Sequence, residues 1–450
     1  MKAVVFVPGT MGSELFSGSG ERLWPPTPLE TQFGYGRADK LLGDDVRQGG
    51  IIERVACFDV YGSLVAQFEE LGFKRDGVEK RLYLFPYDWR LDLQHTAEEL
   101  ARQLDAVNSD GAREIFLIAH SMGGLISRLV LETGTYESRP WFKNIRSFIA
   151  MATPHQGAPL ALARVLGLDS TLGISKKDFR KLTGDPRYPS AYQLLPAPNE
   201  AACWSKTDLT VGAVDIYDTA TATRLGLDSG MLKRARFVHE TLARGAAPSQ
   251  VRYFYFAATG HETVTRVNVL ERDGTYPVEE MVVTRTEDAG DGTVPFWSAL
   301  PRAVQKQVVV NEHAQVFRGR PFKRVFYRLL GGDLGVPLES LGLEENEAGP
   351  TQLSIATPII HAGREFEVLL LPVSATGKLD GTFSLQKLME DGAPAGPVEQ
   401  MSNISYEGPR VSRLRLSMPP VSTAGLYALL FRGVPANSEP LRFAVVSLPE

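Results

Sequence analysis

The chain has 450 residues, and its 43% hydrophobic and 22% charged residues are typical of a globular protein with two or three domains. The formal net charge of −5 gives no overall attraction to nucleic acid or anionic lipid, and we expect no nucleic-acid partner. The two cysteines, Cys57 and Cys203, suit a reducing compartment and no apolar run is long enough for a membrane helix, so we predict a cytoplasmic protein.

From residue 1 to about 332, short apolar runs alternate with segments of helical period. The first run ends at Pro8-Gly9, which makes it too short for a secretion signal and favours a strand. Continuous β-branched and aromatic runs joined by helices are typical of a parallel sheet with helices on both faces. We therefore predict an α/β domain over residues 1–335 with a mostly parallel, doubly wound sheet. The predicted strands are Ala3–Val7, Arg81–Phe85, Glu114–Ala119, Ser147–Ala152, Arg252–Ala257 and Gln307–Asn311, and the predicted helices are Ser63–Leu71 and Ala97–Val107.

Two long segments interrupt this alternation. Ser17–Glu53 is rich in glycine, proline and charged residues, and Gln156–Gln250 is a long, partly helical insertion. Loops of this length in a compact domain usually carry function or act as lids. We predict a lid region at about 17–53 and a cap at about 156–250. Farther along, Val264–Leu270 and Met281–Thr286 lie on either side of Asp273-Gly274 and predict a β-hairpin.

The pattern changes after Gly331-Gly332. Glu344–Gly349 is acidic and rich in small residues, which indicates a linker. Short strands separated by Gly/Pro turns then predict an immunoglobulin-like antiparallel β-sandwich over residues 350–450. A protein or a glycan is the partner that we consider for this domain. Its predicted strands are Leu353–Ala356, Phe366–Leu371, Phe383–Leu388, Val411–Leu416, Leu426–Phe431 and Phe443–Val446.

A serine lies at the junction of a predicted strand and a predicted helix. Glu114–Ala119 leads directly into His120-Ser121-Met122-Gly123-Gly124, and apolar pairs with helical spacing follow. This is the context of a nucleophile elbow, in which the sharp turn needs small residues two positions before and after the serine. Ala119 and Gly123 satisfy that requirement. The sequence therefore predicts Ser121 as a nucleophile, and a simple glycine-rich turn is the alternative.

A serine nucleophile needs an imidazole base and a carboxylate that orients the imidazole. In this strand–turn–helix context the acid and then the histidine follow the serine in the chain. His313 follows the last predicted strand of the domain, where a parallel sheet displays catalytic groups, and it is the predicted base. Asp291 is the predicted acid because Gly290 and Gly292 allow its loop to turn inward, and Asp288 and Glu312 are weaker alternatives.

Attack on an ester also needs N–H groups that stabilise the oxyanion. One donor is the N–H of Met122, the residue after the nucleophile. The other is predicted to be the N–H of Thr10, in a turn that follows the first strand. We consider Trp24, Met11 and His155 as substrate-binding residues; a purely structural role is the alternative for His155, and packing in the core is the alternative for Trp24. We predict no metal or other cofactor.

A run of aromatic and charged residues follows the second predicted strand. In Tyr87-Asp88-Trp89-Arg90, the aspartate and the arginine favour a buried ion pair between packed aromatic rings. Such a pair shapes its loop, and contact with substrate is the alternative.

Five motifs follow one another along the chain: Val7–Ser13, Pro86–Arg90, Ala119–Gly124, Gly290–Pro295 and His313. In this order they resemble the lecithin:cholesterol acyltransferase family, whose relatives include lysosomal phospholipase A2 and phospholipid:diacylglycerol acyltransferases. The resemblance implies an α/β-hydrolase that transfers an acyl chain from a glycerolipid to water or an alcohol through a serine acyl-enzyme. It also implies that Ser121, Asp291 and His313 form the triad, and that residues 17–53, with Trp24, form a mobile lid or membrane-contact loop.

These observations predict a serine acyl-hydrolase or O-acyltransferase with lipid or other acyl-ester substrates. A soluble carboxylesterase for short acyl chains is one alternative. A phospholipase delivered to other cells as a toxin is a second alternative. A binding or scaffold protein with a vestigial serine turn is a third, and labelling of Ser121 by a fluorophosphonate separates it from the enzymes.

Overall fold

The computed structural model describes residues 1–27, 30–31, 34–55, 58–206, 211–300, 305–332, 351–355, 358–372, 375–389 and 392–447. These residues form two compact units. One consists of Met1–Glu53 with Val60–Arg318, and the other of Arg54–Asp59 with Gly319–Glu450. Cys57, the predicted linker Glu344–Gly349 and the predicted domain limits at 335 and 350 lie outside the described residues.

The first 330 residues contain both strands and helices. The strands are β1 (Lys2–Val7), β2 (Ser13–Phe16), β3 (Arg22–Trp24), β4 (Arg47–Ile51), β5 (Arg54–Val55), β6 (Phe58–Asp59), β7 (Lys80–Leu84), β8 (Glu114–His120), β9 (Ile145–Met151), β10 (Cys203–Lys206), β11 (Val211–Ala213), β12 (Arg252–Thr259), β13 (His261–Leu270), β14 (Val282–Gly290) and β15 (Gln305–Val310). The helices are α1 (Gly62–Glu70), α2 (Leu93–Ser109), α3 (Met122–Glu132), α4 (Pro159–Val165), α5 (Lys176–Thr183), α6 (Ser190–Gln193), α7 (Thr219–Leu225), α8 (Ser229–Arg244), α9 (Phe296–Ala299) and α10 (Arg320–Leu329).

Six strands form a central sheet in the order β15-β12-β9-β8-β1-β7. Every neighbouring pair in it is parallel. The inner strand β1 is almost entirely buried because both of its faces are covered, which explains its unbroken apolar run. All six strands predicted from the sequence are present, and the prediction of a parallel doubly wound sheet is confirmed. The carboxyl ends of β1, β8 and β15 meet at one edge, where the candidate site lies.

The longest helices follow from their capping residues and their apolar stripes. In α2, the Asp92 side chain accepts the Gln94 N–H at 2.9 Å, and this satisfies one free donor of the first turn. In α8, Asp228 accepts the Met231 N–H at 2.7 Å in the same way. The α2 residues that face the core recur at helical spacing: Leu93, Ala97, Leu100, Leu104 and Val107.

The cap insertion shares a second sheet and a buried core with the hairpin that follows it in the chain. Strands β11, β10, β13 and β14 form a four-stranded sheet, and the predicted hairpin is present as the antiparallel pair β13–β14. Asp273 and Gly274 both have positive φ angles, of 48° and 75°, as the tight turn requires. Apolar residues of the cap helices and of this sheet share one buried cluster that includes Leu162, Tyr192, Leu225, Met231 and Val267.

The predicted lid region contains β3 and β4, which pair with β2 in a small antiparallel sheet. Its described residues are hydrogen-bonded to the cap. The Tyr35 N–H donates to the Gly173 carbonyl at 2.9 Å, and the Tyr188 hydroxyl donates to the Gly43 carbonyl at 2.8 Å. The lid and the cap are therefore joined by direct hydrogen bonds in this structure.

The predicted ion pair between Asp88 and Arg90 is confirmed. The guanidinium donates to both carboxylate oxygens, at 2.9 and 2.6 Å, and both side chains are buried. Arg90 also donates to the carbonyl of Leu41 in the lid region and lies 4.2 Å from the ring centre of Tyr188 in the cap. The pair thus fixes a loop to which both insertions attach.

The second unit contains a β-sandwich. Its strands are β16 (Gln352–Ser354), β17 (Ile359–His361), β18 (Phe366–Leu371), β19 (Thr376–Leu388), β20 (Pro394–Val411), β21 (Leu414–Met418), β22 (Gly425–Val434) and β23 (Leu441–Val446). They form one sheet in the order β16-β18-β21 and another in the order β17-β23-β22-β19-β20. The prediction of a C-terminal all-β sandwich is confirmed by the buried cluster that both sheets share, which includes Val368, Leu370, Phe383, Leu429, Phe431 and Phe443.

The sequence predicts only part of the strand content of this sandwich. β19 begins at Thr376, well before the predicted start at Phe383, and β20 was not predicted although it has 18 residues. β20 is mostly exposed and polar, so it lacks the apolar alternation that indicates a half-buried strand.

No helix in the described part of the chain combines the length and the apolar composition that a membrane-spanning segment needs.

Candidate active site

Ser121 lies in a sharp turn between β8 and α3. Its φ and ψ angles of 53° and −126° are unusual for a residue with a side chain, as expected for a nucleophile elbow. A Cβ atom at Gly123 would lie 2.4 Å from the Pro8 carbonyl oxygen and 2.5 Å from that of Val7. The elbow therefore requires glycine at this position because the backbone that follows β1 passes directly beside it.

The side chains of Ser121, His313 and Asp291 form one hydrogen-bonded row. The Ser121 Oγ lies 2.9 Å from the His313 Nε2, and the His313 Nδ1 lies 2.8 Å from the Asp291 Oδ2. A carboxylate oxygen can only accept, so the imidazole carries its hydrogen on Nδ1 and presents the lone pair of Nε2 to the serine hydroxyl. The arrangement can remove the serine proton.

The Asp291 loop holds its carboxylate in place with main-chain groups. Asp291 Oδ1 accepts the N–H groups of Thr293 at 3.0 Å and Val294 at 2.7 Å. The side-chain oxygen of Thr263, on β13, accepts the Gly292 N–H at 2.8 Å, and Thr263 is fully buried. The sequence analysis does not identify Thr263, because a threonine in a strand carries no local sign of such a role.

The two alternative acids lie outside this hydrogen-bonded row. Asp288 is exposed at the end of β14, and its carbonyl oxygen accepts the Thr259 hydroxyl at 2.8 Å. Glu312 precedes His313, and its carboxylate accepts from the Gln315 side chain at 3.3 Å. The His313 N–H instead donates to the Asp291 carbonyl at 2.9 Å, so acid and base loops are also joined through their main chains.

The turn that contains Thr10 is held by aromatic side chains on either side of that residue. Met11 adopts a positive φ of 63°, which turns the chain sharply. Three hydrogen bonds fix the neighbouring main chain: Tyr87 Oη to the Pro8 oxygen at 2.8 Å, the Gly9 N–H to Tyr61 Oη at 2.9 Å, and Trp24 Nε1 to the Met11 oxygen at 2.8 Å.

Thr10 lies next to Met122, the first residue of α3. The Thr10 hydroxyl donates to the Met122 sulfur at 3.3 Å. Within the described part of the chain, the N–H groups of these two residues have no protein acceptor. The first N–H groups of a helix favour negative charge. Both N–H groups are therefore available to an oxyanion at this turn.

Two of the residues considered for substrate binding are buried in packing contacts. Trp24 is 1% exposed, and its ring contacts those of Tyr35 and Trp89 at centre distances of 6.0 and 5.4 Å. His155 is also buried and stacks on Tyr255 with ring centres 4.3 Å apart. In this structure Trp24 supports the Met11 carbonyl, so substrate contact by Trp24, Met11 or His155 stays a prediction.

His155 belongs to a buried polar cluster behind the serine turn. Its Nδ1 lies 3.3 Å from Arg128 Nη1, and the same guanidinium pairs with Glu132 at 2.9 Å. Arg128 and Glu132 are one helical turn apart on α3. The cluster therefore anchors the helix that begins at the serine turn. No three His, Cys, Asp or Glu side chains among the described residues are grouped so as to hold a metal ion.

A second histidine, His120, is buried directly before the nucleophile. Its Nδ1 lies 2.8 Å from the Tyr61 hydroxyl, and its Nε2 lies 3.0 Å from the His313 carbonyl oxygen. Burial, with a smaller contribution from the nearby His313 ring, lowers the pKa of His120 to about 3. The imidazole of His120 is therefore neutral at physiological pH.

Part of the chain matches a known family. The family model described as lecithin:cholesterol acyltransferase matches residues 53–225, a range that includes the serine turn. Lecithin-cholesterol acyltransferase-like 4 of Arabidopsis thaliana is 24% identical over 304 residues, which cover 56% of this chain and 55% of that protein. Phospholipase A(1) LCAT3 of Arabidopsis thaliana is 24% identical over 309 residues, which cover 57% of this chain and 67% of that protein. The chain thus spans between about half and two thirds of the length of these two relatives.

A solved structure shows the same fold. The structure described as the crystal structure of the Tle4-Tli4 complex has a TM-score of 0.54 and 12% identity, and it covers 73% of this chain and 98% of that chain. Together with the six-stranded parallel sheet and the serine turn, this likeness defines the α/β-hydrolase fold. Within that fold class, residues 53–225 match the lecithin:cholesterol acyltransferase family model, which confirms the resemblance predicted from the motifs.

Proposed function

We propose that the protein is a serine acyl-hydrolase or O-acyltransferase that acts on lipid esters. The observation that carries the proposal is the row from Ser121 Oγ through the His313 imidazole to the Asp291 carboxylate, with distances of 2.9 and 2.8 Å. A lipid substrate is supported by the relationship to the lecithin:cholesterol acyltransferase family and to a relative named as a phospholipase A(1).

The reaction proceeds in two acyl transfers. His313 Nε2 takes the hydroxyl proton of Ser121 as its Oγ bonds to the ester carbonyl carbon, and the carbonyl oxygen becomes an oxyanion. The N–H groups of Thr10 and Met122 stabilise that charge. The imidazolium, held by Asp291, gives its proton to the departing alcohol, which leaves an acyl-serine. Water or a second alcohol then gives its proton to His313 and bonds to the acyl carbon. The bond from that carbon to Ser121 Oγ breaks, and His313 returns the proton to Oγ, which restores the serine hydroxyl.

Labelling with a fluorophosphonate, followed by peptide mass spectrometry, tests the nucleophile. We expect modification of Ser121 in the wild type and none in Ser121→Ala, because the reagent bonds to an activated serine oxygen. Ser127, farther along α3, is the matched control serine. Its hydroxyl donates to the Gly123 carbonyl at 2.8 Å, and we expect no label on it. A wild-type protein that remains unmodified at Ser121 would support a scaffold function instead.

The substrate class is tested separately with nitrophenyl esters of four and sixteen carbons and with lipid extracts. A lipid-ester enzyme should have a higher kcat/KM for the longer chain, since apolar burial stabilises each added methylene by about 0.8 kcal/mol. A preference for the short chain would favour a soluble carboxylesterase. Mass spectrometry of extracts incubated with the wild type and with Ser121→Ala then identifies the acyl donor and shows whether water or an alcohol accepts the acyl group.

A further inference from the structure

A buried chain of hydrogen bonds links the two loops on either side of Ser121. The Gly9 N–H donates to the Tyr61 hydroxyl oxygen at 2.9 Å, and that oxygen lies 2.8 Å from His120 Nδ1. The opposite ring nitrogen, His120 Nε2, lies 3.0 Å from the main-chain oxygen of His313. Both side chains are buried, and the chain ends on main-chain groups of the oxyanion turn and of the base loop.

The direction of each hydrogen bond follows from the end groups. An amide N–H can only donate and a carbonyl oxygen can only accept. Tyr61 therefore accepts from Gly9 and donates its own hydrogen to His120 Nδ1, and His120 Nε2–H donates to His313. Every donor and acceptor is satisfied in this arrangement when the imidazole is neutral.

The surroundings of His120 keep it neutral. The groups that face its ring are the hydroxyl and ring of Tyr61, the ring of His313 at a centre distance of 4.9 Å, the ring of Phe317 at 5.9 Å and the adjoining Ser121. None of these is a carboxylate that could stabilise an imidazolium. The lowered pKa of His120 agrees with this environment.

We propose that Tyr61 and His120 are positioning residues that fix the position of the Thr10 N–H relative to the His313 ring. This role rests on the acyl-transfer function proposed above. Both groups must meet the same reacting carbonyl, and displacements of less than an ångström reduce catalysis. Tyr61 and His120 act only through the main chains of Gly9 and His313.

Three variants break this series of hydrogen bonds at known points. Tyr61→Phe removes the oxygen that joins Gly9 to His120. In His120→Asn, the shorter side chain can still accept from Tyr61 but cannot reach His313. In His120→Gln, the longer amide can reach His313 but no longer offers an acceptor at the Nδ1 position. Matched controls are Tyr83→Phe, which loses a hydrogen bond to Asp110, and His95→Gln on the exposed side of α2.

Each of the three variants should lower kcat on a nitrophenyl ester about 10- to 100-fold, the effect of leaving one or two buried groups unpaired near the transition state. KM should stay within about twofold, because neither residue contacts the substrate. The double variant Tyr61→Phe with His120→Gln should lose less than the product of the single losses, since both changes break the same contact. The two control variants should keep the wild-type kcat.

The outcomes separate this proposal from the function on which it rests. If the fluorophosphonate does not label the wild type, the proposed function fails. If the wild type is active and all three variants keep kcat within twofold, or if the losses multiply in the double variant, the positioning role is overturned.

A measurement on the unsubstituted protein tests the geometry even if the variants fold poorly. Nitrogen NMR of His120 should show a neutral ring with its hydrogen on Nε2 from pH 5 to 8. Titration of His120 in that range, or a hydrogen on its Nδ1, would contradict the proposed series of hydrogen bonds from Gly9 to His313.

Discussion

Each oxygen of the Asp291 carboxylate has its own partners. Oδ1 accepts two main-chain N–H groups, and Oδ2 accepts the Nδ1–H of His313. This division means that the loop does not merely bring a negative charge to the histidine. It also holds Oδ2 against His313 Nδ1, and an acceptor at that position keeps the ring hydrogen on Nδ1.

Asp291→Asn tests this division. The two main-chain donors will keep the amide oxygen at the Oδ1 position, so the amide NH2 group will face His313 Nδ1. That nitrogen must then accept, and the hydrogen moves to Nε2, where it blocks proton removal from Ser121. We expect kcat to fall about 10³- to 10⁴-fold with little change in KM. Asp110→Asn, which changes an exposed carboxylate elsewhere, is the matched control, and a loss below tenfold in Asp291→Asn would contradict the assignment.

A buried histidine outside the site links stability to pH. Burial lowers the pKa of His239 to about 4, and its Nε2 donates to the Leu195 carbonyl at 2.8 Å. The unfolded chain has a histidine pKa of about 6.5, so it binds a proton between pH 6.5 and 4 while the folded state does not. The stabilisation from this group is present above pH 6.5 and is lost as the pH falls toward 4.

His239→Gln should remove that pH dependence because the glutamine amide can still donate to Leu195 without binding a proton. Relative to the variant, the wild type should lose about 1.4 kcal/mol of unfolding free energy for each pH unit below 6.5. Urea unfolding of both proteins at pH 4.5, 5.5 and 6.5 measures this difference. A constant difference across the three pH values would contradict the assignment of His239 as a buried neutral group.

Single residues differ in how well the sequence indicates their place. The turn residues beside Ser121 and Asp291 indicate their roles, and the strand before His313 indicates the role of that residue. Tyr61 and Trp24 have no such local sign: an aromatic residue near the start of a helix or strand looks like any core residue. Their hydrogen bonds to the Thr10 turn depend on contacts between distant parts of the chain, which a single sequence does not display.

At the scale of elements, the elbow depends on β1 as much as on β8 and α3. The sequence predicts that positions 119 and 123 must both be small because they approach each other. The structure gives a more specific reason at Gly123, where the carbonyl oxygens of Val7 and Pro8 occupy the space that a side chain would need. These oxygens belong to the stretch that leads into the Thr10 turn. Crowding at the elbow would therefore also displace the proposed oxyanion donors.

Gly123→Ala and Ala119→Gly form a matched pair for this point. The added methyl of Gly123→Ala would overlap backbone atoms, so we expect a loss of about 1–3 kcal/mol in stability and a larger loss in kcat. Ala119→Gly removes a buried methyl from β8, which should cost about 1 kcal/mol while most of the activity is kept. Melting temperatures and ester kinetics of the two proteins separate these effects. Equal activity in both would show that the elbow tolerates the methyl.

At the scale of the whole molecule, each compact unit has its own buried core. The sandwich cluster is formed by residues of its two sheets, and the cap has a cluster of its own in the other unit. The sequence predicts both classes of architecture because strand period and turn residues repeat over many elements. It underestimates the sandwich strands, since an exposed polar strand is indistinguishable from a loop by hydrophobic pattern alone.

Phe431→Ala tests the independence of the cores. Phe431 is fully buried in β22, and its truncation should cost about 3–5 kcal/mol in the stability of the sandwich. Calorimetry should show that transition at a lower temperature while ester activity at 25 °C is unchanged. Phe237→Ala, which truncates a half-exposed side chain on α8, should alter neither. Parallel loss of activity and of the sandwich transition would contradict independent cores.

The long outer strand β20 has a consequence for self-association. An exposed sheet edge of this length offers free backbone groups on which another chain could add a strand, a common start of aggregation. Register shifts lie beside Pro397 and Pro409, where proline provides no N–H for a new partner, and a third shift lies beside Met401 in the middle of the strand. These irregularities divide β20 into short segments, so no long regular edge is offered to another chain.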